Sequence, residues 1–512
     1  MCKAKYFTFS LKKLSTCIGL SLSLNSIVYA ETQSGYFQDI QHNIGNLIRP
    51  KTDESFSTVQ FSQLSNFQVQ PDPLYQQLPV VGARPDANTP AVLNNAYSSA
   101  EVQSRLSLQE AIQIAVKRNP VISQALANLA AQNANIDVAK AQYYPQLKAG
   151  LSTGDFTSSD RGRQLYTVEA NQLLYDFGKV KSSVDTQKNK LEAEQANVLL
   201  NIDEIATQTA RSIIAVLRYR VLLSIAQDQV KGVSRLHEIA RLRSDAGISS
   251  YADPVQAQSY VEYAKTYLLT QQNKLRQEEQ KLRTLLGFEV SRTDFIIHDE
   301  FLKKSDLYNT PQLNTIPSMI AAQAEIEVAK SQKKQTELSR YPTVSLTASL
   351  NQALNGKNPN TGKQDDTDSS IGISMSSNFY QGGAVSSQIR SATYAEQAAR
   401  SKLNATYLNI MDSSQIAREN IENMDKQIWV LIDRERSTAK TRELYEEQYK
   451  LGKRSILDLL SSEQSFHSSR AERESARYDI YDMLAMYINV MGKSRDIYQL
   501  NNTKIQGFEV QQ

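Results

Sequence analysis

Alternating apolar and polar positions give way twice along this chain to long runs of helical composition. In "PTVSLTASL" Val344, Leu346, Ala348 and Leu350 alternate with Thr and Ser, and in "SIGISMSSNFY" Ile371, Ile373 and Met375 do the same. A period of two with one apolar face predicts strands, here over 342–350 and 370–380. An earlier pair falls over 146–154 ("QLKAGLSTG") and 165–175 ("LYTVEANQLLY"), the second less cleanly alternating. The connections "DFTSSDRGRQ" and "NQALNGKNPNTGKQDDTDSS" are polar and read as loops.

After each strand pair the pattern changes. Residues 179–246 contain no Pro and one Gly, Gly232, and residues 384–451 contain neither. Both are rich in Ala, Leu, Glu, Gln, Lys and Arg, so each predicts a single long helix of roughly 100 Å, which implies coiled-coil packing. A short turn follows, "AGISSYADP" or "LGKRSILD", and then a shorter helix returns over 254–286 or 456–491.

The whole plan is written twice. "NIDVAKAQYYPQLKAGLS" (135–152) echoes "EIEVAKSQ" (325–332) with "RYPTVSLTAS" (340–349), the second copy holding seven extra residues. Seven residues are two helical turns and keep the same face inward. "YDFGKV" (175–180) then matches "YQGGAV" (380–385), Gly247 matches Gly452, Asp253 matches Asp458 and Gly287 matches Gly492, all at an offset of 205. The chain therefore divides into a leader (1–30), a Pro-, Gln- and Ser-rich arm (31–103), repeat 1 (104–288), a linker (289–309), repeat 2 (310–495) and a tail (496–512).

Composition narrows the picture. The leader carries Lys3, Lys5, Lys12 and Lys13, an apolar stretch and a cleavage-like "VYA" ending at Ala30, the layout of a secretory signal. Cys2 and Cys17 both lie inside it, so an exported chain would have no disulfide, thiolate metal site or lipidated N-terminal Cys. Removing those four Lys takes the formal charge from +3 to −1, which argues against nucleic acid as a partner. Six of the 13 prolines fall in the arm, which is expected to be extended or disordered. No apolar run is long enough for a transmembrane helix, so a membrane-spanning form would have to be a closed β-barrel. His42, His237, His298 and His467 are scattered, with no catalytic or phosphate-binding motif around them, and no enzyme or cofactor is expected. Trp429 and the Leu and Ile of the long helices read as core or groove-filling residues.

Tyr143, Tyr144, Tyr175, Phe177, Tyr341, Phe379 and Tyr380 fall at the strand ends nearest the helices, as a girdle at one lipid interface would. Four strands cannot close a barrel, since the smallest have about eight. Taken together, "QLLYDFGKV", "NFYQGGAV", "AGISSYADP" and "LGKRSILDLL", with the double repeat over roughly 104–495, resemble the TolC family of outer-membrane channel proteins. The resemblance implies an α+β membrane protein assembled as a homotrimeric channel-tunnel. A 12-stranded barrel in outer-membrane lipid, four strands per chain, would continue into a periplasmic α-helical coiled-coil barrel. A periplasmic adaptor (membrane fusion protein) and an inner-membrane ABC or RND-type transporter would be its partners.

In such channels the helix tips coil inward and are held by polar links. The resemblance implies that Asp253 is the lock carboxylate, that Tyr449 and Arg454 are its partners, and that Asp458 contributes to an acidic constriction ring. Gly247 and Gly452 would form the tip turns. Ser461 stands where the pattern has a second constriction acid, with Glu463 nearby, Ala252 replaces a Thr, and Pro254 is an addition. Read from the residues alone, Arg454 and Asp458, four apart, could equally form a local ion pair. The function implied is a passive exit duct for type I protein secretion (adhesin or toxin class). The alternatives are a multidrug or small-molecule efflux channel and, more remotely, a periplasmic coiled-coil scaffold or adhesin.

Overall fold

The computed structural model describes residues 105–154, 163–297, 307–308, 310–354, 356–378 and 380–510; the leader, the whole arm (31–103) with its His42, Phe379 and His298 lie outside the described residues. Contacts divide the chain into two bodies.

The first body holds a four-stranded sheet: β2 (Gln146–Gly154), β3 (Arg163–Tyr175), β5 (Thr343–Leu354) and β6 (Thr367–Ser376), in the order β2-β3-β5-β6. β2 and β3 are antiparallel. Their register sets Leu147 opposite Ala170, Ala149 opposite Val168 and Leu151 opposite Tyr166, while Lys148 faces Glu169 and Gly150 faces Thr167. One face is thus apolar and the other polar. The second pair repeats this: Ser349 bonds Ser370 at 2.8 Å and Thr347 bonds the Gly372 carbonyl at 3.3 Å, whereas Ile371, Ile373 and Met375 stay exposed.

Four strand limits differ from the periodicity reading by two residues or more. β5 runs on to Leu354 and β6 starts at Thr367 because the supposed loop is built. Asp368 accepts from Asn351 (3.2 Å), Asn358 (2.8 Å) and Asn360 (2.8 Å), and Ala353 N–H reaches the Asp366 carbonyl at 3.1 Å. At its other end β6 stops at Ser376 rather than 380, because Gly382 and Gly383 adopt φ of +58° and +84° to turn into the next helix. β3 starts two residues early, at Arg163, which pairs with Gly154.

The second body is helical. α1 (Leu108–Arg118) and α2 (Pro120–Ala141) lead in, α3 (Lys179–Asp245) and α4 (Ala252–Leu286) form the first hairpin, and α5 (Pro317–Leu338) precedes the second, α6 (Ala384–Lys450) and α7 (Ile456–Val490). Both long helices have 67 residues and both return helices 35. α4 begins at Ala252, two residues before the sequence reading, with Pro254 in its first turn, where a missing N–H costs nothing. Along α3 the buried positions Leu222, Ala226, Gln229, Val233, Leu236 and Ala240 alternate in steps of four and three, the coiled-coil seam. Across that seam α7 is held by ion pairs: Arg211 with Asp482 (2.7 Å), Arg218 with Asp479 (2.6 Å) and, with signs reversed, Asp228 with Arg470 (3.2 Å). Among the described residues no helix is long and apolar enough to cross a membrane.

The linker and tail carry more structure than their composition suggests. β4 (Asp294–Ile296) pairs in parallel with β1 (Arg105–Ser107). After α8 (Ser494–Ile497) the tail forms a small hairpin of β7 (Lys504–Ile505) and β8 (Phe508–Glu509). Arg495 reaches from α8 to the Thr315 carbonyl (2.8 Å) and places Nε 3.4 Å from Asp203 Oδ2 on α3. Asp203, Arg495 and Tyr498 are all buried, and burial pushes the Asp203 carboxyl up to about 7 against the pull of Arg495. A raised acid binds its proton more tightly in the folded chain, so this contribution is complete below the unfolded carboxylate range of about 4 and is lost as pH rises. The loss ends once pH passes the folded value of about 7. The thermal midpoint of detergent-solubilised protein should therefore fall across that window, and Asp203→Asn should flatten the fall; equal slopes would remove Asp203 as its source.

Candidate functional site

The two hairpin turns are built alike. Gly247, at φ +70°, follows α3, and its N–H bonds the Ser244 carbonyl at 2.9 Å while Ile248 N–H reaches back to the Arg243 carbonyl at 2.9 Å. Gly452, at φ +73°, does the same after α6: Gly452 N–H to Tyr449 O at 3.0 Å and Lys453 N–H to Gln448 O at 2.9 Å. This paired closure needs a left-handed residue just past the helix end, which only glycine supplies without strain. The sequence at 247 and 452 thus dictates two sharp, equivalent stops.

Beyond the glycines the turns diverge. Ser455 caps α7 reciprocally with Asp458: the serine hydroxyl accepts from Asp458 N–H (3.2 Å), and Asp458 Oδ2 accepts from the Ser455 hydroxyl (2.9 Å) and backbone N–H (3.4 Å). Arg454 Nη1 lies 3.7 Å from the same carboxylate, its Nε donates to Gln448 (3.0 Å), and its guanidinium sits 4.4 Å from the Tyr445 ring centre. Within this chain Arg454 and Asp458 therefore form the local pair, and Arg454 stays on its own hairpin. Asp253 sits in the first turn of α4, where the cap position is Tyr251 and carries no side-chain bond, so its carboxylate is not spent on a box.

Tyr449 is 4% exposed and packs with Val233, Leu236 and Ala240 of α3, Ala257 and Val261 of α4, and Ile456, Leu459 and Leu460 of α7. Its hydroxyl is buried without a hydrogen-bond partner, so the expected bond to Asp253 is not made within the chain. Burial pushes the phenol up, Arg243 opposing and Asp253 adding to it, which sets both charges close by. Sequence reasoning passed over Arg243, whose guanidinium lies 4.9 Å from the Tyr449 ring centre and 3.4 Å from its carbonyl. It also passed over Arg235, which grips Glu446 through two bonds of 2.8 Å and, with Lys450, holds that carboxyl down at about 2.

Glu463 does not replace the acid missing at Ser461. It is buried, bonded to His467 (3.1 Å) and 3.8 Å from Arg442, and its carboxylate occupies the notch left by Gly232 on α3. The one glycine of the first long helix is explained by that notch.

Of the aromatics, Tyr175, Phe177 and Tyr341 form one cluster: Tyr175 meets Phe177 edge-on with ring centres 4.8 Å apart, and Phe177 stacks on Tyr341 at 5.2 Å. Phe177 holds φ +58° in the place where repeat 2 has Gly382. Asp176 steadies that turn by accepting from Gly178 N–H (2.9 Å) and Val180 N–H (2.6 Å). Tyr143 (45%), Tyr175 (58%) and Tyr380 (86%) are exposed, Tyr144 half-buried.

Amphipathic strand pairs feeding paired helical hairpins define the class of outer-membrane channel proteins. Residues 111–288 and 312–492 match the family described as outer membrane efflux protein, and the chain belongs to that family. It is 22% identical over 433 residues to the outer membrane protein TolC of Salmonella enteritidis, covering 78% of this chain and 84% of that one. It is 21% identical over 399 residues to the outer membrane efflux protein BepC of Brucella suis, covering 76% and 85%. The crystal structure of the outer membrane protein VceC from Vibrio cholerae shares the fold, with a TM-score of 0.64 at 17% identity over 75% of this chain and 96% of that one. The chain is thus an outer-membrane channel protein with a periplasmic helical part, not an enzyme.

The notch at Gly232 gives a direct test of the seam. A methyl there would run into the Glu463 carboxylate, so Gly232→Ala should destabilise by about 1–3 kcal/mol. Adding Glu463→Ala should cancel part of that cost, which denaturation of the two single variants and the double variant would measure.

Proposed function

We propose that this protein is the outer-membrane exit duct of a tripartite export system, assembled as a homotrimer whose twelve strands close one barrel. The carrying observation is the sheet itself: four strands, one apolar and one polar face, and edge strands β2 and β6 that no described strand of the chain covers. Three copies joined edge to edge leave no unpaired strand. The exposure of α6 supports the same assembly. Only six of its 67 residues are buried, against 25 in the equally long α3, and Trp429, Leu408, Ile416 and Val430 lie in the open. These are groups for a neighbouring copy to cover.

The tip turns act as the gate. Asp253, with its carboxylate uncommitted to a cap, is the acceptor offered to a neighbouring hairpin, and Arg454 and Tyr449 are the groups that meet it. Arg454 and Asp458 have side chains 39% and 41% exposed, so their local pair is worth about 1 kcal/mol or less and can be exchanged on opening. Asp458 of three copies forms a ring that favours cations. Transport is passive, driven by an inner-membrane ABC or RND-type transporter through a periplasmic adaptor. The cargo is a protein of the adhesin or toxin class, a reading supported by the "QLLYDFGKV" turn. Efflux of small molecules is the second reading, favoured by the family description and by the relative BepC.

In a planar bilayer the trimer should pass a small, cation-selective current that rises several-fold in Arg454→Ser and loses selectivity in Asp458→Asn. Equal currents in wild type and Arg454→Ser would remove the lock assignment, and no current from inserted trimer would remove the duct. A deletion strain separates the cargo readings: loss of one large secreted protein favours secretion, and sensitivity to many small toxic compounds favours efflux.

A further inference from the structure

We propose that Arg243 is the positioning residue of the gate, tying the two hairpin turns of one protomer to each other; this rests on the tip turns being the gate. The backbone of Arg243 closes the first turn, its carbonyl accepting from Ile248 N–H (2.9 Å) and Ser249 N–H (3.3 Å). Its side chain holds the second turn. The guanidinium lies over the Tyr449 ring at 4.9 Å and donates from Nη1 to the Tyr449 carbonyl at 3.4 Å, the carbonyl that also accepts Gly452 N–H at 3.0 Å. One residue therefore belongs to both closures.

The other polar groups at the tip leave this role to Arg243. Arg454 is occupied by Tyr445, Gln448 and Asp458 on its own hairpin. The Tyr449 hydroxyl has no hydrogen-bond partner. The neighbouring cross-hairpin pair, Arg235 with Glu446, sits two turns deeper along α3 and holds helix to helix rather than turn to turn. Chemistry suits Arg243 to the task. A cation at a helix C-terminus interacts favourably with the last carbonyls of α6, and a flat guanidinium can stack on an aromatic face while donating in its plane. The ring it covers belongs to the cluster in which α3, α4 and α7 meet the end of α6. Releasing Arg243 would let Tyr449, and with it the end of α6, leave the core independently of the first hairpin.

Single-channel conductance of purified trimers tests this, comparing wild type with Arg243→Met, Arg243→Lys, Arg454→Ser and the double variant Arg243→Met/Tyr449→Leu. Arg243→Met keeps an unbranched apolar stem and removes charge and donors. It should raise conductance several-fold with the trimer intact, and Arg243→Lys, which keeps a cation over the ring, should raise it less. With Tyr449→Leu measured alone beside it, the double variant should conduct no more than Tyr449→Leu, because removing the ring already removes what Arg243 covers. If Arg454→Ser opens the pore while Arg243→Met conducts like wild type and only melts earlier, Arg243 is a packing residue and the proposal is wrong with the gate left standing. Should Arg243→Met fail to assemble, wild-type conductance in Arg243→Lys overturns the proposal. No change in either Arg243→Met or Arg454→Ser overturns the gate and the proposal together.

Discussion

A strand in hydrocarbon must give every backbone N–H and C=O to another strand, and the amphipathic sheet has only four strands among the described residues. Much else in the protein answers that shortage. The apolar positions 147, 149 and 151 share one face with 166, 168 and 170, so the sheet has one face suited to lipid and one suited to water. Each strand pair leads through a left-handed turn into a long helix, so the number of strand pairs fixes the number of hairpins.

The two repeats divide the labour. α3 is the buried partner, packing against α4, α5 and α7, while α6 presents its surface outward. The tips show the same division in their acids. Asp458 is drawn into a capping box with Ser455, and Asp253, followed by Pro254, is left without one. Duplication supplied equal geometry, and small changes of sequence assigned the copies different electrostatic tasks.

Much of the fold was legible. Long runs with at most one Gly and no Pro beyond the first turn mark the four hairpin helices because nothing else tolerates that length without a breaker, and period two marks β5 and β6 because Ser and Thr separate their apolar residues cleanly. The site was legible only in its glycines and acids. Ser455 and Asp458 carry a capping-box spacing that could have been read beforehand. Arg243 could not, since its partner Tyr449 is near only after both hairpins pack. The Asp203–Arg495 pair and the Gly232 notch are hidden for the same reason: each joins positions more than two hundred residues apart, and no local pattern encodes them. Trp429, read as core or groove-filling, stands 66% exposed because helix periodicity cannot say which stripe its own chain will cover.

The charge ladder between α3 and α7 bears on how such a chain avoids entangling itself while it folds. Two return helices of 35 residues both pack on the one long helix α3, and they hold equivalent places in the repeat. Where α7 offers Asp479 to Arg218 and Asp482 to Arg211, the equivalent places on α4, 205 residues earlier, hold Lys274 and Gln277. An exchanged docking would set Lys against Arg and leave the other Arg without a counter-charge. The ladder thus works as an address label. Two of its three rungs carry that label: Lys265, the counterpart of Arg470, would still meet Asp228, so the distinction between the two return helices rests on Arg211 and Arg218.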